Sequence, residues 1–307
     1  MRRKWSRRFL IVFGGMALLW IGNFFLSDYL VSREDARVPR DPETGVMVGA
    51  EARELGPADA SGAVLFVHGY IGAGNNFADV PEQVAKHGWR VRVMRLPGHG
   101  TSPREVENVT AAELLKAVQS ELAGLRKDCK KVVLVGHSMG GTLCTLAAAE
   151  EPVDALILAA PYFAVTYHWY YGLRPETWAR AAARLARWGY KGKLFVQVNR
   201  KEAKDDIVSY TWAPTRTMLT LSELGAQAQD PETLKLVTCP VLLLHGRGDV
   251  AASPQAAEKA FEAMGSTNKQ AVWLERSNHH VFWDYDAKEV AEEVLAFLDS
   301  IAANNSS

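Results

Sequence analysis

Ser138 lies between two glycines in the run Gly136-His137-Ser138-Met139-Gly140-Gly141, and the four residues before it, Val132-Val133-Leu134-Val135, are all apolar. A short apolar run, a tight turn and then a helix-spaced segment predict a strand, a turn and a helix with the serine at the turn. The G-x-S-x-G spacing suits a strand and a helix whose backbones approach closely while the serine adopts a strained conformation that presents its hydroxyl at the sheet's carboxyl edge. The chemistry this suggests is nucleophilic attack by an alcohol. A Gly-Ser turn with no chemical role is the plainer alternative.

A serine hydroxyl is a weak nucleophile and needs a base to take its proton and a carboxylate to orient that base. Two further strand ends offer them. Leu243-Leu244-His245-Gly246-Arg247-Gly248-Asp249 places an aspartate just past an apolar run, and Glu275-Arg276-Ser277-Asn278-His279 places a histidine just past the last predicted strand. Strands ending at one sheet edge can bring Ser138, Asp249 and His279 within hydrogen-bond reach. His280 adjoins His279 and competes for the part of base, whereas Asp154 precedes a strand and lies at the wrong edge. His68, His99, His137 and His245 also fall at loop edges, but none has metal-ligand spacing, so they read as structural and no metal is expected.

The elements that must position these residues follow from pattern and length. The chain has 307 residues, is 48% apolar and carries no formal net charge, which suits one large α/β domain with insertions and gives no sign of a nucleic-acid partner. From about residue 46 strands alternate with helices, predicting a mostly parallel sheet covered on both faces. Strands are expected at 63–67, 89–94, 131–135, 155–159, 241–245 and 271–274, and helices at 111–125, 138–149 and 287–301. Residues 164–236 are too many for a loop and read as a helical cap over the site. Nine of the chain's aromatic residues fall between Tyr162 and Tyr190, which suggests an apolar wall, and residues 175–188 look like an amphipathic cap helix. Cys129, Cys144 and Cys239 have no paired spacing and read as buried thiols.

The N-terminus reads as a separate object. Arg2, Arg3, Lys4, Arg7 and Arg8 precede an uncharged run at 9–26 that would span about 27 Å as a helix, and no small-residue cleavage site follows. The expectation is a cytosolic basic stub and signal anchor over residues 1–27, a linker over 28–45 and a hydrolytic domain over 46–303. The charge asymmetry places the body on the extracytoplasmic side, periplasmic if the source is bacterial. Without those five charges the remainder carries about −5.

Several segments together closely resemble the carboxylesterase and monoacylglycerol-lipase branch of the α/β-hydrolase superfamily: His68-Gly69-Tyr70, Pro97-Gly98-His99-Gly100-Thr101-Ser102-Pro103, Gly136-His137-Ser138-Met139-Gly140-Gly141, Cys239-Pro240-Val241-Leu242-Leu243-Leu244-His245-Gly246, and Ser277-Asn278-His279 with Asp284 beyond. The likeness covers residues 60–301. It implies an α/β-hydrolase fold in which Ser138 attacks, His279 is the base and Asp249 the acid. It also implies that the backbone N–H groups of Tyr70 and Met139 stabilise the oxyanion, and that His68 braces the oxyanion loop. The chain departs from the pattern in two places: Asn278 stands where glycine is usual, and Ala251-Ala252 where bulkier residues are common. The implied activity is cleavage of carboxylic esters, of monoacylglycerols or other single-chain lipids, with no cofactor. Thioesterase, acyltransferase or peptidase chemistry would use the same residues. A retired hydrolase serving as a ligand sensor or scaffold is the alternative from another class.

Overall fold

The computed structural model describes residues 2–167, 172–192 and 196–303, with the side chains of 2–13 and 16–19 outside that description. Among the described residues, strands β1 (Arg53–Leu55), β2 (Gly62–Val67), β3 (Arg90–Val93), β4 (Lys131–His137), β5 (Ala155–Ala159), β6 (Trp188–Tyr190), β7 (Trp212–Pro214), β8 (Val241–Gly246) and β9 (Lys269–Leu274) are formed. All but β6 and β7 make one sheet in the order β1-β3-β2-β4-β5-β8-β9. Within that sheet only β1 runs antiparallel to its neighbour, and every other pairing is parallel.

The central strands are buried along almost their whole length and carry unbroken apolar runs such as Val132–Val135 and Val241–Leu244, because both faces of the sheet are covered. Leu65, Leu134, Leu156 and Leu243 enter one core, while Val64, Val133, Ile157 and Leu242 enter the other. The first core is closed by helices α4 (Ala111–Asp128), α5 (Met139–Glu150) and α9 (Pro254–Ala263), and the second by α2 (Val80–Lys86) and α10 (Ala287–Ala303). Leu134 and Leu156 are fully buried, so truncating either to alanine should cost about 2–5 kcal/mol. Helix α4 starts on a capping box: Thr110 Oγ1 accepts from Glu113 N–H (3.2 Å) while the Glu113 carboxylate accepts from Thr110 N–H (2.8 Å).

The insertion between β5 and β8 is more mixed than the helical cap expected. Helix α6 (Pro175–Leu185) ends three residues early because Ala186 is extended and the chain turns into β6, which pairs antiparallel with β7. Helices α7 (Thr217–Ala228) and α8 (Pro231–Leu236) follow, and Leu224, Ala228 and Leu234 join the main core beside α5. The residues standing over the site are therefore mostly those before α7. Part of the expected aromatic wall, residues 168–171, lies outside the described residues.

Helix α1 (Arg2–Asp35) contains the uncharged run at 9–26 and continues past it. Among the described residues no helix is long and apolar enough to cross a membrane, so the transmembrane span expected from the sequence is not supported here. Much of that run, 9–13 and 16–19, falls where side chains are not described. The expected linker at 28–45 needs correction, because α1 runs on through residues 28–35 and docks on the body. The Asp28 carboxylate accepts from Arg104 Nη1 (2.9 Å), Arg187 Nη1 (3.0 Å) and Trp188 Nε1 (3.1 Å), with Arg104 in the short helix α3 (Pro103–Val106). Glu34 accepts from Trp212 Nε1 (2.8 Å), and Val31 is buried. The Arg104 hydrogen bond, aided by Trp188 and Arg187 and opposed by partial burial, holds the Asp28 carboxyl below its usual range.

Candidate active site

Ser138 occupies the turn between β4 and α5 with φ of 54° and ψ of −122°, a left-handed conformation that a side-chain-bearing residue adopts at a cost. The flanking glycines make the turn possible. A Cβ on Gly140 would stand 1.8 Å from the Val67 carbonyl oxygen, and one on Gly136 would stand 2.4 Å from the Gly140 carbonyl oxygen. Neither position has room for a side chain. The backbone is held by bonds from Ser138 N–H to Ala159 O (3.1 Å) and from Tyr162 N–H to Ser138 O (3.0 Å).

The three residues from separate strand ends meet. Ser138 Oγ lies 2.9 Å from His279 Nε2, and His279 Nδ1 lies 2.8 Å from Asp249 Oδ2. An ionised carboxylate only accepts, so Nδ1 carries the hydrogen and Nε2 is left to accept the serine proton. Asp249 is 2% exposed, and burial alone would raise its pKa. The charges and hydrogen bonds of His279 and His245 outweigh burial and hold the carboxyl well below its usual range. Its other oxygen, Oδ1, accepts from Ala251 N–H (2.7 Å) and Ala252 N–H (2.9 Å). The small Ala251-Ala252 pair thus folds its amides onto the acid. A hydroxyl so linked to imidazole and carboxylate is equipped to shed its proton on attack.

Asn278 ties the acid loop to the base loop, since its Oδ1 accepts from Val250 N–H (3.2 Å) and His279 N–H (3.0 Å). A glycine would offer neither bond. His280 does not face the serine in the role of base: its N–H donates to Gln197 O (3.1 Å) and its buried ring lies against His137 and His279. Asp154 lies at the opposite sheet edge, where it accepts from Val132 N–H (2.7 Å).

Tyr70 and Met139 flank the serine. Gly69 approaches so closely that a Cβ there would be 3.0 Å from the Ser138 Cβ, and Met139 is the first residue of α5. Among the described residues neither the Tyr70 nor the Met139 N–H donates to a backbone carbonyl. His68 braces this loop, its Nε2 accepting from Leu96 N–H (3.1 Å) and its Nδ1–H donating to Gly69 O (3.0 Å). Burial pushes the imidazoles of His68 and His137 down to about 3 and that of His99 to about 4, so all three are neutral braces. Among the described residues no group of histidines, cysteines and carboxylates is arranged to hold a metal ion. All three cysteines are free: Cys129 and Cys144 are buried as expected, while Cys239 is only half-buried.

Sequence reasoning named two supporting residues without their contacts. His245 Nε2 lies 3.2 Å from Asp249 Oδ2 and 3.3 Å from Ala252 O, so the acid serves two histidines. The buried Asp284 carboxylate accepts from the N–H groups of Asn199 (2.8 Å), Arg200 (2.9 Å) and Asn278 (2.8 Å), which joins the returning cap chain to the base loop. The position of Asp284 five residues after His279 was the available signal for it.

Ser138 and His279 open into a cavity of about 170 Å³, whose wall includes Tyr70, Tyr162, Val165 and Leu221. The family model described as Hydrolase_4: Serine aminopeptidase, S33 matches residues 58–286. The thermostable monoacylglycerol lipase of Bacillus sp. (strain H-257) is 30% identical over 82% of this chain and 96% of its own length. A carboxylesterase of Bacillus subtilis (strain 168) is 21% identical over 78% of this chain and 93% of its own. Among solved structures, a metagenome-derived lipolytic enzyme from work on LipS and LipT superposes with a TM-score of 0.73 at 26% identity, covering 83% of this chain and 99% of that one.

Proposed function

The chain belongs to the Hydrolase_4 (serine aminopeptidase, S33) family of α/β-hydrolases, and from that premise we propose that Ser138, His279 and Asp249 form the catalytic triad of an esterase acting on single-chain carboxylic esters, held at a membrane by helix α1. It is a serine hydrolase of the ester-cleaving, carboxylesterase and monoacylglycerol-lipase type. The observation that carries the triad reading is the unbroken hydrogen-bond relay of 2.9 and 2.8 Å from Ser138 through His279 to Asp249 at the wall of a cavity.

On this reading Ser138 Oγ attacks the acyl carbonyl carbon as His279 Nε2 takes the hydroxyl proton. The N–H groups of Tyr70 and Met139 receive the developing negative charge on the carbonyl oxygen. His279 then returns the proton to the departing alcohol, leaving an acyl-serine. Water attacks that ester in turn, losing its proton to His279, and the carboxylic acid departs as Ser138 recovers its hydrogen. Asp249 remains ionised throughout and stabilises the imidazolium. An aminopeptidase would need an anion for the substrate's ammonium, and no carboxylate is found among the described residues lining the cavity.

Two features support membrane association: the basic cluster before the uncharged run, and the exposed Trp20, Phe24, Phe25, Leu26 and Tyr29 along α1. The charge pattern orients the N-terminus to the cytosol and the body to the other side.

The test exposes the full chain in detergent to a fluorophosphonate and maps the adduct by mass. One stoichiometric adduct on Ser138 that nearly vanishes in His279→Ala is expected, with ester turnover abolished in Ser138→Ala. Folded protein that takes up no adduct would overturn the enzyme reading and favour a ligand sensor. Carbonate extraction and protease protection of membranes test the anchor and its orientation; release into the soluble fraction would sink the anchor.

A further inference from the structure

Lys191 follows β6 at the turn of the cap's small sheet. Its backbone N–H and that of Gly192 both donate to the Thr211 carbonyl (2.8 and 3.0 Å), which fixes where the side chain departs. Lys191 lines the same cavity as Ser138 and His279. Gln197, Ser209 and Asn76 line the cavity with it, and His280 is close enough for the Lys191 charge to oppose its protonation.

The charge balance of this wall is one-sided. Among the described residues the cavity lining holds one ammonium, three histidines and no carboxylate. No ion pair or side-chain hydrogen bond to Lys191 is formed among the described residues. His137 is held neutral by burial, and His280 is likewise held well below its usual range, first by burial and then by His137, His279 and Lys191. Burial brings the Lys191 ammonium down to about 8, which leaves it mostly charged at pH 7. A partly desolvated cation without a counter-ion is costly, and a ligand that brings an anion relieves the cost.

We propose that this cavity takes esters that bear a negative charge, with Lys191 as the residue that pairs with the anionic group while Ser138 meets the ester carbonyl. The shared chemistry is an anionic oxygen group near the scissile bond. A carboxylate at the far end of a short acyl chain supplies it, as does a phosphate on the alcohol. The cavity is smaller than the ~300–1,000 Å³ of sites for drug-sized ligands, which suits a compact charged ester. This inference rests on Ser138 being the nucleophile and names the substrate class of that same site.

The test uses the full-length chain in a neutral detergent and two substrate pairs. One pair is 4-nitrophenyl butyrate against mono-4-nitrophenyl glutarate, which places the charge on the acyl side. The other is 1-butyryl-glycerol against 1-butyryl-glycerol 3-phosphate, which places it on the alcohol. In at least one pair the charged member is favoured in kcat/KM, and Lys191→Met lowers that charged-to-neutral ratio about tenfold or more, chiefly through KM, the scale of one charge-assisted hydrogen bond. Lys191→Arg restores most of the ratio. The pair that responds identifies where the natural substrate carries its charge. A lysine that only held the hairpin would, on replacement, lower both members of a pair alike. Ratios unchanged in both pairs therefore overturn the inference, whereas turnover that survives Ser138→Ala overturns the reading of the site itself.

Discussion

Acidification from pH 7 to pH 5 should remove a large part of this protein's stability, because His68, His99, His137 and His280 are buried in neutral form. His68, His99 and His137 are at most 1% exposed, and burial lowers them to about 3, 4 and 3. In the unfolded chain each titrates near ~6.5. Above that value neither state binds the proton, and the stabilising effect of the neutral fold is fully present. Below it the unfolded chain takes up protons that the folded chain refuses, so stability falls with pH from about 6.5 until the folded values near 3–4 are reached. Integrated from pH 7 to pH 5, each of these three contributes about 1.9 kcal/mol of loss, about 6 kcal/mol together, and His280 adds to the loss in the same direction. That is comparable to the whole stability of many domains, ~5–15 kcal/mol. The assay is urea unfolding of the detergent-solubilised chain at half-unit steps, followed by tryptophan fluorescence. His68→Gln supplies the control, since an amide can accept from Leu96 N–H and donate to Gly69 O as the ring does. Its loss between pH 7 and 5 should be smaller by about 2 kcal/mol. A flat stability profile over that interval, or an identical slope in the variant, would refute the reasoning.

At the acid, Asp249→Asn should lower kcat about 10⁴-fold with 4-nitrophenyl butyrate. An amide that keeps its oxygen on the Ala251 and Ala252 N–H groups turns its NH₂ on His279 and imposes the tautomer that cannot accept the serine proton. Asn278→Ala strips an acceptor from both Val250 N–H and His279 N–H, with an expected stability loss of about 1–3 kcal/mol read from the urea midpoint and a lower kcat. Gly140→Ala forces a Cβ against the Val67 carbonyl, and a loss of about 3 kcal/mol or more should be visible as a lowered thermal midpoint.

The parts of the fold legible in the sequence are those whose signal is local. Strands β2, β4, β5 and β8 carry continuous apolar runs because both sheet faces are buried, and G-x-S-x-G announces the turn at Ser138 by the two glycines its close contacts demand. The meeting of Ser138, Asp249 and His279 was readable because each closes a strand of one parallel sheet. Pairings made across long stretches of chain were not readable. Strands β6 and β7 have three residues each, include a glycine and a proline, and exist through mutual pairing rather than propensity. The roles of His245, Asn278 and Asp284 likewise depend on tertiary partners. Residues 28–35 look like polar linker until Arg104 and Arg187, 76 and 159 positions away, are seen to close on Asp28.

The docking of Asp28 bears on how such an enzyme would meet a lipid surface. Eighteen residues of loose chain would let the body wander about 21–25 Å from its point of attachment and face any direction. Here a single carboxylate fastens the stalk both to α3, through Arg104, and to the cap, through Arg187 and Trp188. With α1 seated in a bilayer, the cavity mouth would keep one height and one heading above it. Encounter would then become a search in two dimensions at a set altitude, and an ester's position at the interface would count toward its selection along with its shape. The same carboxylate would transmit any tilt of the stalk directly to the cap, so thickness or curvature of the membrane would bear on access to Ser138.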